Sequence, residues 1–202
     1  MLVKSKVKYI QSLSDKKQRD AAGVFIAEGP KVVEELLLSP ATPLLELFPT
    51  AEWINKNASL LTGRVQQATQ EVEPGELQRI SSLSTPNQVL GVFQKPVFNR
   101  QTSPIKEWVV MLDGIQDPGN MGTIIRCADW FGITLIVTGE GAADPYGPKT
   151  VQSSMGSVAR VQVVQSDLEN YLQEWKEATV YAAVLDGQPV GKLGKKSNGI
   201  LL

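Results

Sequence analysis

The sequence predicts an α/β fold in which a small α/β domain is followed by a mostly parallel sheet with helices on both faces. Short apolar runs alternate with amphipathic segments of helical period through both halves of the 202 residues. One run in the second half, WVVMLD at 108–113, is apolar along almost its whole length. Such runs are typical of strands buried on both faces of a parallel sheet.

The first 98 residues are predicted to form the small domain. A basic helix opens it, because Ser5 can cap a helix that continues to about Arg19. Pro30 falls in the first turn of a later helix, where its missing N–H has no effect. The predicted strands of this domain lie at 24–27, 44–48 and 87–94.

A second domain is predicted over 106–202. The segment before it mixes proline with polar residues and has no clear period, which indicates a linker at 99–105. After the strand at 108–113 we expect a helix at about 121–131. Further strands are predicted at 134–139, 158–164 and 179–187.

Composition excludes several kinds of chemistry. The chain contains no histidine and a single cysteine, Cys127, so a histidine base, the usual zinc sites and an internal disulfide are not expected. We therefore expect no metal. The N-terminus has no secretory signal, and no apolar run is long enough to cross a bilayer, so no membrane partner is expected either. A reducing cytoplasm fits best.

Positive charge is concentrated at the N-terminus. Residues 1–20 contain six Lys or Arg and two Asp, a local charge of +4, whereas the whole chain has a charge of −1. Such a helix can contact a phosphate backbone, and the candidate residues are Lys4, Lys8, Lys17 and Arg19. The alternative is the solvated face of an ordinary helix, and the charge pattern alone does not separate the two.

The glycine-rich stretch LDGIQDPGNMGTIIRCADWFG, residues 112–132, leads from a predicted strand into an amphipathic helix. Ile124, Ala128 and Phe131 share a narrow arc that is predicted to face the sheet, and Arg126 lies about 160° from it. Asn120 is a candidate N-cap. The glycine spacing matches neither a GxGxxG fingerprint nor a Walker loop, so a dinucleotide dehydrogenase or nucleotide hydrolase is not supported.

This stretch closely resembles motif 1 of the SpoU/TrmH family, the SPOUT-class RNA ribose 2′-O-methyltransferases, in which an N-x5-R pair follows a DP-G turn. Residues 144–164 resemble the family segment with a proline–lysine pair and an S-M-G element. The first half is similar to the family's RNA-binding accessory domain. The resemblance implies methylation of a ribose in rRNA or tRNA with S-adenosylmethionine, and a SPOUT-type sheet closed by a trefoil knot.

The resemblance also implies site residues. Asn120 and Arg126 correspond to the motif 1 pair that arranges and activates the ribose 2′-hydroxyl, and Thr138 and Gly139 are the candidate cofactor contacts. Family members are typically homodimers, so we expect one here. The family continues past the segment matched by GILL with an N-E-G-x-G loop and an S-L-N element, whereas this sequence ends at Leu202. We therefore expect a sheet that stops before the knot.

Two functional interpretations follow. The first is most of an RNA 2′-O-methyltransferase whose full form carries the missing motifs. The second is a non-catalytic RNA-binding or dimerisation protein that has lost the cofactor site. The apolar ending Gly199-Ile-Leu-Leu favours the first, because chain termini usually extend into solvent rather than end in a core strand.

Overall fold

The computed structural model describes residues 1–99 and 102–202. The helices are α1 (Lys4–Ser12), α2 (Lys16–Ala22), α3 (Pro30–Leu37), α4 (Ala51–Lys56), α5 (Gly63–Gln67), α6 (Pro74–Ile80), α7 (Pro118–Trp130), α8 (Pro148–Ser154) and α9 (Leu168–Glu174). The strands are β1 (Val24–Glu28), β2 (Leu44–Pro49), β3 (Val89–Gln94), β4 (Trp108–Leu112), β5 (Leu135–Thr138), β6 (Gln162–Gln165), β7 (Val180–Tyr181) and β8 (Gly199–Leu201). Three short 3₁₀ turns lie at Ala58–Leu60, Ser157–Ala159 and Val190–Lys192.

The first sheet has three antiparallel strands in the order β1-β3-β2. All five residues of β1 are buried, because helices cover both of its faces. One face packs against α1 and α6, where Val7, Ile10 and Leu77 join a common cluster. The three strands predicted for the first half are thus confirmed.

The second sheet has five parallel strands in the order β6-β5-β4-β8-β7. The central strand β4 alternates its side chains between two helical layers, as strand geometry requires. Val110 packs with α7 and α8, whereas Val109 packs with β5 and, beyond it, Leu168 of α9. The predicted parallel sheet with helices on both faces is therefore confirmed.

The two sheets share one apolar core. Phe25 of β1 and Val33 of α3 belong to the same cluster as Met121 and Ile125 of α7 and Val151 of α8. The predicted linker, 99–105, includes residues 100 and 101, which lie outside the described residues. The shared apolar cluster holds α8 directly against the first sheet.

Three element predictions have the wrong bounds. The strand predicted at 158–164 begins only at Gln162, because Ser157–Ala159 form a 3₁₀ turn. The basic helix does not continue to Arg19, because the Asp15 carboxylate accepts the backbone N–H of Lys17 at 2.7 Å and caps a new helix, α2. Ser5 lies inside α1 rather than at its cap. The strand predicted at 179–187 is limited to β7, because only Val180 and Tyr181 pair with β8.

In the part of the chain that the structure describes, no helix is long and apolar enough to cross a membrane. Nor do its His, Cys, Asp and Glu side chains form a group of three or more that could hold a metal ion.

Candidate active site

The turn between β4 and α7 is built around Asp117. Its Oδ1 accepts the backbone N–H of Asn120 at 2.8 Å, so Asp117 is the N-cap of α7. The expectation that Asn120 caps this helix is wrong, because Pro118 occupies the first helical position. Proline has its φ fixed near the helical value and no N–H to satisfy, so the helix begins there and the preceding residue caps it.

Gly119 leaves room for two charged groups. A Cβ at this position would lie 2.9 Å from Asp117 Oδ1 and 3.5 Å from Lys149 Cε. Lys149 Nζ in turn contacts Asp117 Oδ2 at 3.1 Å. The hydrogen bond from Asn120 N–H, followed by that from Lys149, lowers the pKa of Asp117.

Gly122 allows α7 and α8 to pack backbone against backbone. A Cβ at Gly122 would lie 2.5 Å from the Thr150 carbonyl oxygen and 2.6 Å from Ser153 Cβ. Real Cβ atoms essentially never make contacts this short. The glycine is therefore required by the close approach of the two helices.

This packing sets which face of α7 is exposed. Met121, Ile125 and Ala128 are buried, whereas Asn120 and Arg126 are exposed on the outward face. The prediction that Arg126 points away from the core is confirmed.

The prediction for Phe131 is wrong, since its side chain is 76% exposed. The helix ends at Trp130, so the helical angle no longer applies to Phe131, and contact with α8 rotates the buried arc toward Gly122. Trp130 itself is 85% exposed.

The S-M-G element ends α8. Met155 and Gly156 have positive φ angles of 52° and 92°, and a Cβ at Gly156 would lie 2.5 Å from Glu35 Cγ of α3. The Arg160 guanidinium then joins Asp129 of α7 to Glu35, both at 2.8 Å. This element fixes α7 and α8 against the first domain.

The two candidate cofactor contacts lie in different surroundings. Thr138 is buried, and its hydroxyl donates to the Val164 carbonyl of β6 at 3.3 Å. Gly139 donates its N–H to the Leu112 carbonyl at 3.0 Å and lines a pocket of about 760 Å³ at the carboxyl ends of β4, β5 and β6. Of the two, Gly139 is the one placed to contact a ligand there.

The pocket fits two groups of S-adenosylmethionine, its ribose diol and its positive sulfonium. It is lined by Gly139 and by the carboxylates of Asp113, Glu140, Asp167 and Glu169. Carboxylates accept hydrogen bonds from ribose hydroxyls and attract a cation. The volume lies within the range of about 300–1,000 Å³ typical of small-molecule sites.

The structure does not bring the pocket at Gly139 and the motif 1 pair together in one chain. Asn120 and Arg126 lie on the outward face of α7, and among the described residues no side chain of α7 lines the pocket at Gly139. How a complete site is assembled therefore depends on what brings Asn120 and Arg126 to a pocket of this kind.

The basic N-terminal residues divide into two groups. Lys4 and Lys8 of α1 and Lys17 of α2 are exposed. Arg19 is 3% exposed and forms an ion pair with Asp144, so the expectation that it belongs to an exposed RNA-binding surface is corrected. The structure places it in the interior between the two domains.

Three site residues escaped the sequence analysis: Asp117, Asp144 and Lys149. Asp117 had a usable signal, since Asp before a proline at a helix start is a typical N-cap. Lys149 and Asp144 lie in the segment that resembles the family, but their contacts could not be predicted, because their partners lie 32 and 125 residues away in the sequence.

Comparison with known proteins first defines the class. A solved structure from Porphyromonas gingivalis, described as of the TrmH family of RNA methyltransferases, superposes with a TM-score of 0.82 and 34% identity, over 100% of this chain and 80% of that one. An AdoMet-bound rRNA methyltransferase from Sinorhizobium meliloti gives a TM-score of 0.75 at 28% identity, over 100% of this chain and 77% of that one. The fold is that of an RNA methyltransferase.

The family follows from the sequence matches. A model of the SpoU rRNA Methylase family matches residues 107–202, and one of the MRM3-like substrate binding domain matches residues 4–91. The 23S rRNA (guanosine(2553)-2′-O)-methyltransferase RlmP of Bacillus subtilis is 30% identical over 98% of this chain and 77% of its own length. Human mitochondrial rRNA methyltransferase 3 is 26% identical over 82% of this chain, which spans 41% of that longer protein. The chain belongs to the SpoU/TrmH family.

Proposed function

We propose that this protein methylates a ribose 2′-hydroxyl of ribosomal RNA, with S-adenosylmethionine as the methyl donor. The position of Asn120 and Arg126 carries the proposal. Both face outward from a helix that begins at the carboxyl end of the central strand, where open α/β sheets bind their ligands. The named relatives act on rRNA, which favours rRNA over tRNA. A cytoplasmic location stays a prediction.

Arg126 acts as a fixed positive charge. A guanidinium is a donor without an acceptor site, so Arg126 is a poor base. Its forked donors suit a phosphate oxygen of the RNA and stabilise negative charge that develops on the attacking 2′-oxygen. Because Asp117 caps α7, the Asn120 amide is not needed for that purpose and can orient the ribose hydroxyl.

The carboxyl-edge pocket would hold the cofactor. S-adenosylmethionine, when bound, supplies an electrophilic methyl group on a sulfonium. Asp113 and Glu140 would accept hydrogen bonds from its hydroxyls, and the absence of a side chain at Gly139 leaves the backbone accessible there.

Methyl transfer from labelled S-adenosylmethionine to rRNA tests the function. The full-length protein should place the label on a ribose, and Arg126→Ala should lower kcat by about 100- to 1,000-fold, as for the loss of one transition-state donor. Arg64→Ala, an exposed arginine of α5, is the matched control and should leave kcat unchanged. RNA binding without any methyl transfer would favour the non-catalytic alternative.

We further propose that the protein acts as a homodimer whose active site is shared between subunits. The outward face of α7 carries Asn120, Arg126 and the exposed Trp130, and Phe131 follows with its ring exposed. Two adjacent exposed aromatics are typical of an interaction surface. Packing of a second copy on this face would bring Arg126 of one subunit toward the pocket at Gly139 of the other.

Mixing two inactive variants tests the shared site. Arg126→Ala lacks the motif 1 cation, and Asp113→Ala lacks a pocket carboxylate. In a 1:1 mixture about half of the dimers are mixed, and each has one intact site of two, so about a quarter of the wild-type activity should return. No recovery, with dimers exchanging subunits freely, would mean that each chain builds its own site. A monomeric mass at micromolar concentration would refute the dimer.

We also propose that Lys4, Lys8 and Lys17 contact the RNA backbone. Their three exposed ammonium groups should each add about 0.7 to 0.9 to the slope of log affinity against log salt. Replacement of all three by glutamine should therefore flatten that slope by about 2 to 3. The same change at Lys176, Lys195 and Lys196, exposed in the second domain, is the matched control. An unchanged slope in the first variant would mean that its lysines are merely solvated.

A further inference from the structure

Arg19 is an arginine enclosed between the two domains. Its Nη1 donates to the carbonyl oxygens of Leu13 and Ser14, both at 2.7 Å, and its Nη2 donates to Asp144 Oδ2. Nε has no hydrogen-bond partner within the described ranges. The guanidinium is thus anchored to the turn between α1 and α2 and directed at a loop of the second domain.

Asp144 also accepts two hydrogen bonds from backbone N–H groups of its own loop. Its Oδ1 accepts the backbone N–H of Tyr146 at 3.0 Å, and its carbonyl accepts that of Gly147 at 3.1 Å. The same carboxylate therefore binds Arg19 and shapes the turn that leads into α8.

Tyr146 is held by the first domain as well. Its ring lies 5.5 Å from that of Phe25, and Lys95 Nζ lies 4.9 Å from its centroid. Burial raises the pKa of its hydroxyl far above the usual range, with the Asp144 charge adding to the effect. Three residues of the first domain thus contact the short segment from Asp144 to Tyr146.

The segment 139–147, which we name the carboxyl-edge loop, connects the two parts of the candidate site. It begins at Gly139, which lines the proposed cofactor pocket, and it leads into α8. On α8, Lys149 contacts Asp117, the cap of the helix that carries Asn120. A shift of this loop would therefore move Gly139 and the start of α8 together.

We propose that Arg19 is a positioning residue that fixes the carboxyl-edge loop, through Asp144, in the conformation that binds S-adenosylmethionine. The proposal rests on the proposed methyltransferase function. A buried ion pair is weakly stabilising at best compared with apolar residues of similar volume. Stability alone therefore does not explain an arginine here, whereas a directed contact to one carboxylate does.

Two variants separate positioning from stability. Arg19→Met leaves Asp144, whose side chain is only 15% exposed, without its ion-pair partner, so it should lower the Tm and weaken S-adenosylmethionine binding. Arg19→Met combined with Asp144→Leu removes both charges and should restore the Tm. The double variant also loses the Asp144 carboxylate that accepts the Tyr146 N–H, so the loop should be displaced there even though the Tm recovers.

Three measurements on the full-length protein give the outcome. Hydrogen exchange at the amides of Tyr146 and Gly147 should be faster than in the wild type in both variants. Calorimetric titration should show about tenfold weaker S-adenosylmethionine binding in both, the effect of about one lost hydrogen bond. RNA affinity and its salt slope should not change. Lys6→Met with Glu46→Leu, an ion pair of the first domain with a distance of 2.7 Å, is the matched control and should leave all three unaffected.

Recovery of exchange and affinity together with the Tm in the double variant would overturn the proposal, because Arg19 would then be only a structural residue. If Arg19→Met flattens the salt dependence of RNA affinity and leaves hydrogen exchange at Tyr146 and Gly147 unchanged, Arg19 contacts RNA instead, and the proposal is overturned. If the double variant does not fold, Arg19→Lys replaces it, because lysine keeps the charge but loses the planar fork of the guanidinium. Wild-type hydrogen exchange in Arg19→Lys would also overturn the proposal. Absent cofactor binding in the wild type would reject the proposed function, whereas the exchange result would still report on the loop.

Discussion

The sharpest structural prediction concerns Gly122. In Gly122→Ala the new Cβ would lie 2.5 Å from the Thr150 carbonyl oxygen, 2.6 Å from Ser153 Cβ and 2.9 Å from Ser154 N. Two of these atoms belong to the backbone of α8, so no side chain can rotate away to make room. The two helices must separate.

The magnitude follows from two opposing effects. Overpacking of a well-packed interior destabilises by about 1–3 kcal/mol, and a clash with backbone belongs at the upper end. Alanine gains about 1 kcal/mol over glycine in helix propensity. The net loss is about 2 kcal/mol, which for a chain of this size lowers the Tm by about 4–8 °C. Displacement of α7 by about 1 Å would also lower activity by about 100-fold.

Thermal unfolding followed by circular dichroism measures the effect. Gly75→Ala is the matched control, since Gly75 lies in α6 and a Cβ there would meet nothing within 4 Å. That change should raise the Tm slightly through helix propensity. An unchanged or raised Tm in Gly122→Ala would refute the close packing of α7 on α8.

Two further predictions concern carboxylates. Hydrogen bonds from Lys16 and then Lys95 lower the pKa of Asp20 from 3.8 to about 2, so its contribution to stability is present above about pH 4 and is lost as the pH falls toward 2. The small stability difference between wild type and Asp20→Asn in urea unfolding should shrink over that range, and a constant difference would contradict it. Asp117→Ala should lower the Tm more than Asp117→Asn, because asparagine can still accept the N–H of Asn120; equal losses would argue against capping.

Most of the strands and the exposure of Arg126 could be predicted from the sequence because each is a local property. An apolar run such as WVVMLD is typical of a strand that is buried along its length because both faces of its sheet are covered. The angle between Arg126 and the apolar positions of the same helix depends only on helical geometry. These parts of the fold needed no knowledge of distant contacts.

Arg19 and Phe131 could not be placed in the same way. Arg19 lies among exposed lysines in the sequence, and its partner Asp144 is 125 residues away. A local charge count therefore treats it as one more surface cation. The helical angle that predicts an inward-facing Phe131 applies only within the helix, and the helix ends at Trp130. Both errors arise where tertiary contacts or a helix end override the local pattern.

The glycines of motif 1 connect the packing of this helix with its chemistry. Gly122 lets α7 approach α8 until their backbones touch, and Gly119 leaves room for the Asp117 cap and its Lys149 partner. The two glycines fix the inward face and the start of α7, so the outward face is not needed to hold the helix in place. A rigid helix with a free face can present Asn120 and Arg126 to RNA in one orientation, which is what positional catalysis requires. Because that face lies outside the pocket of its own chain, the shared site that we propose would also require a well-defined contact between subunits.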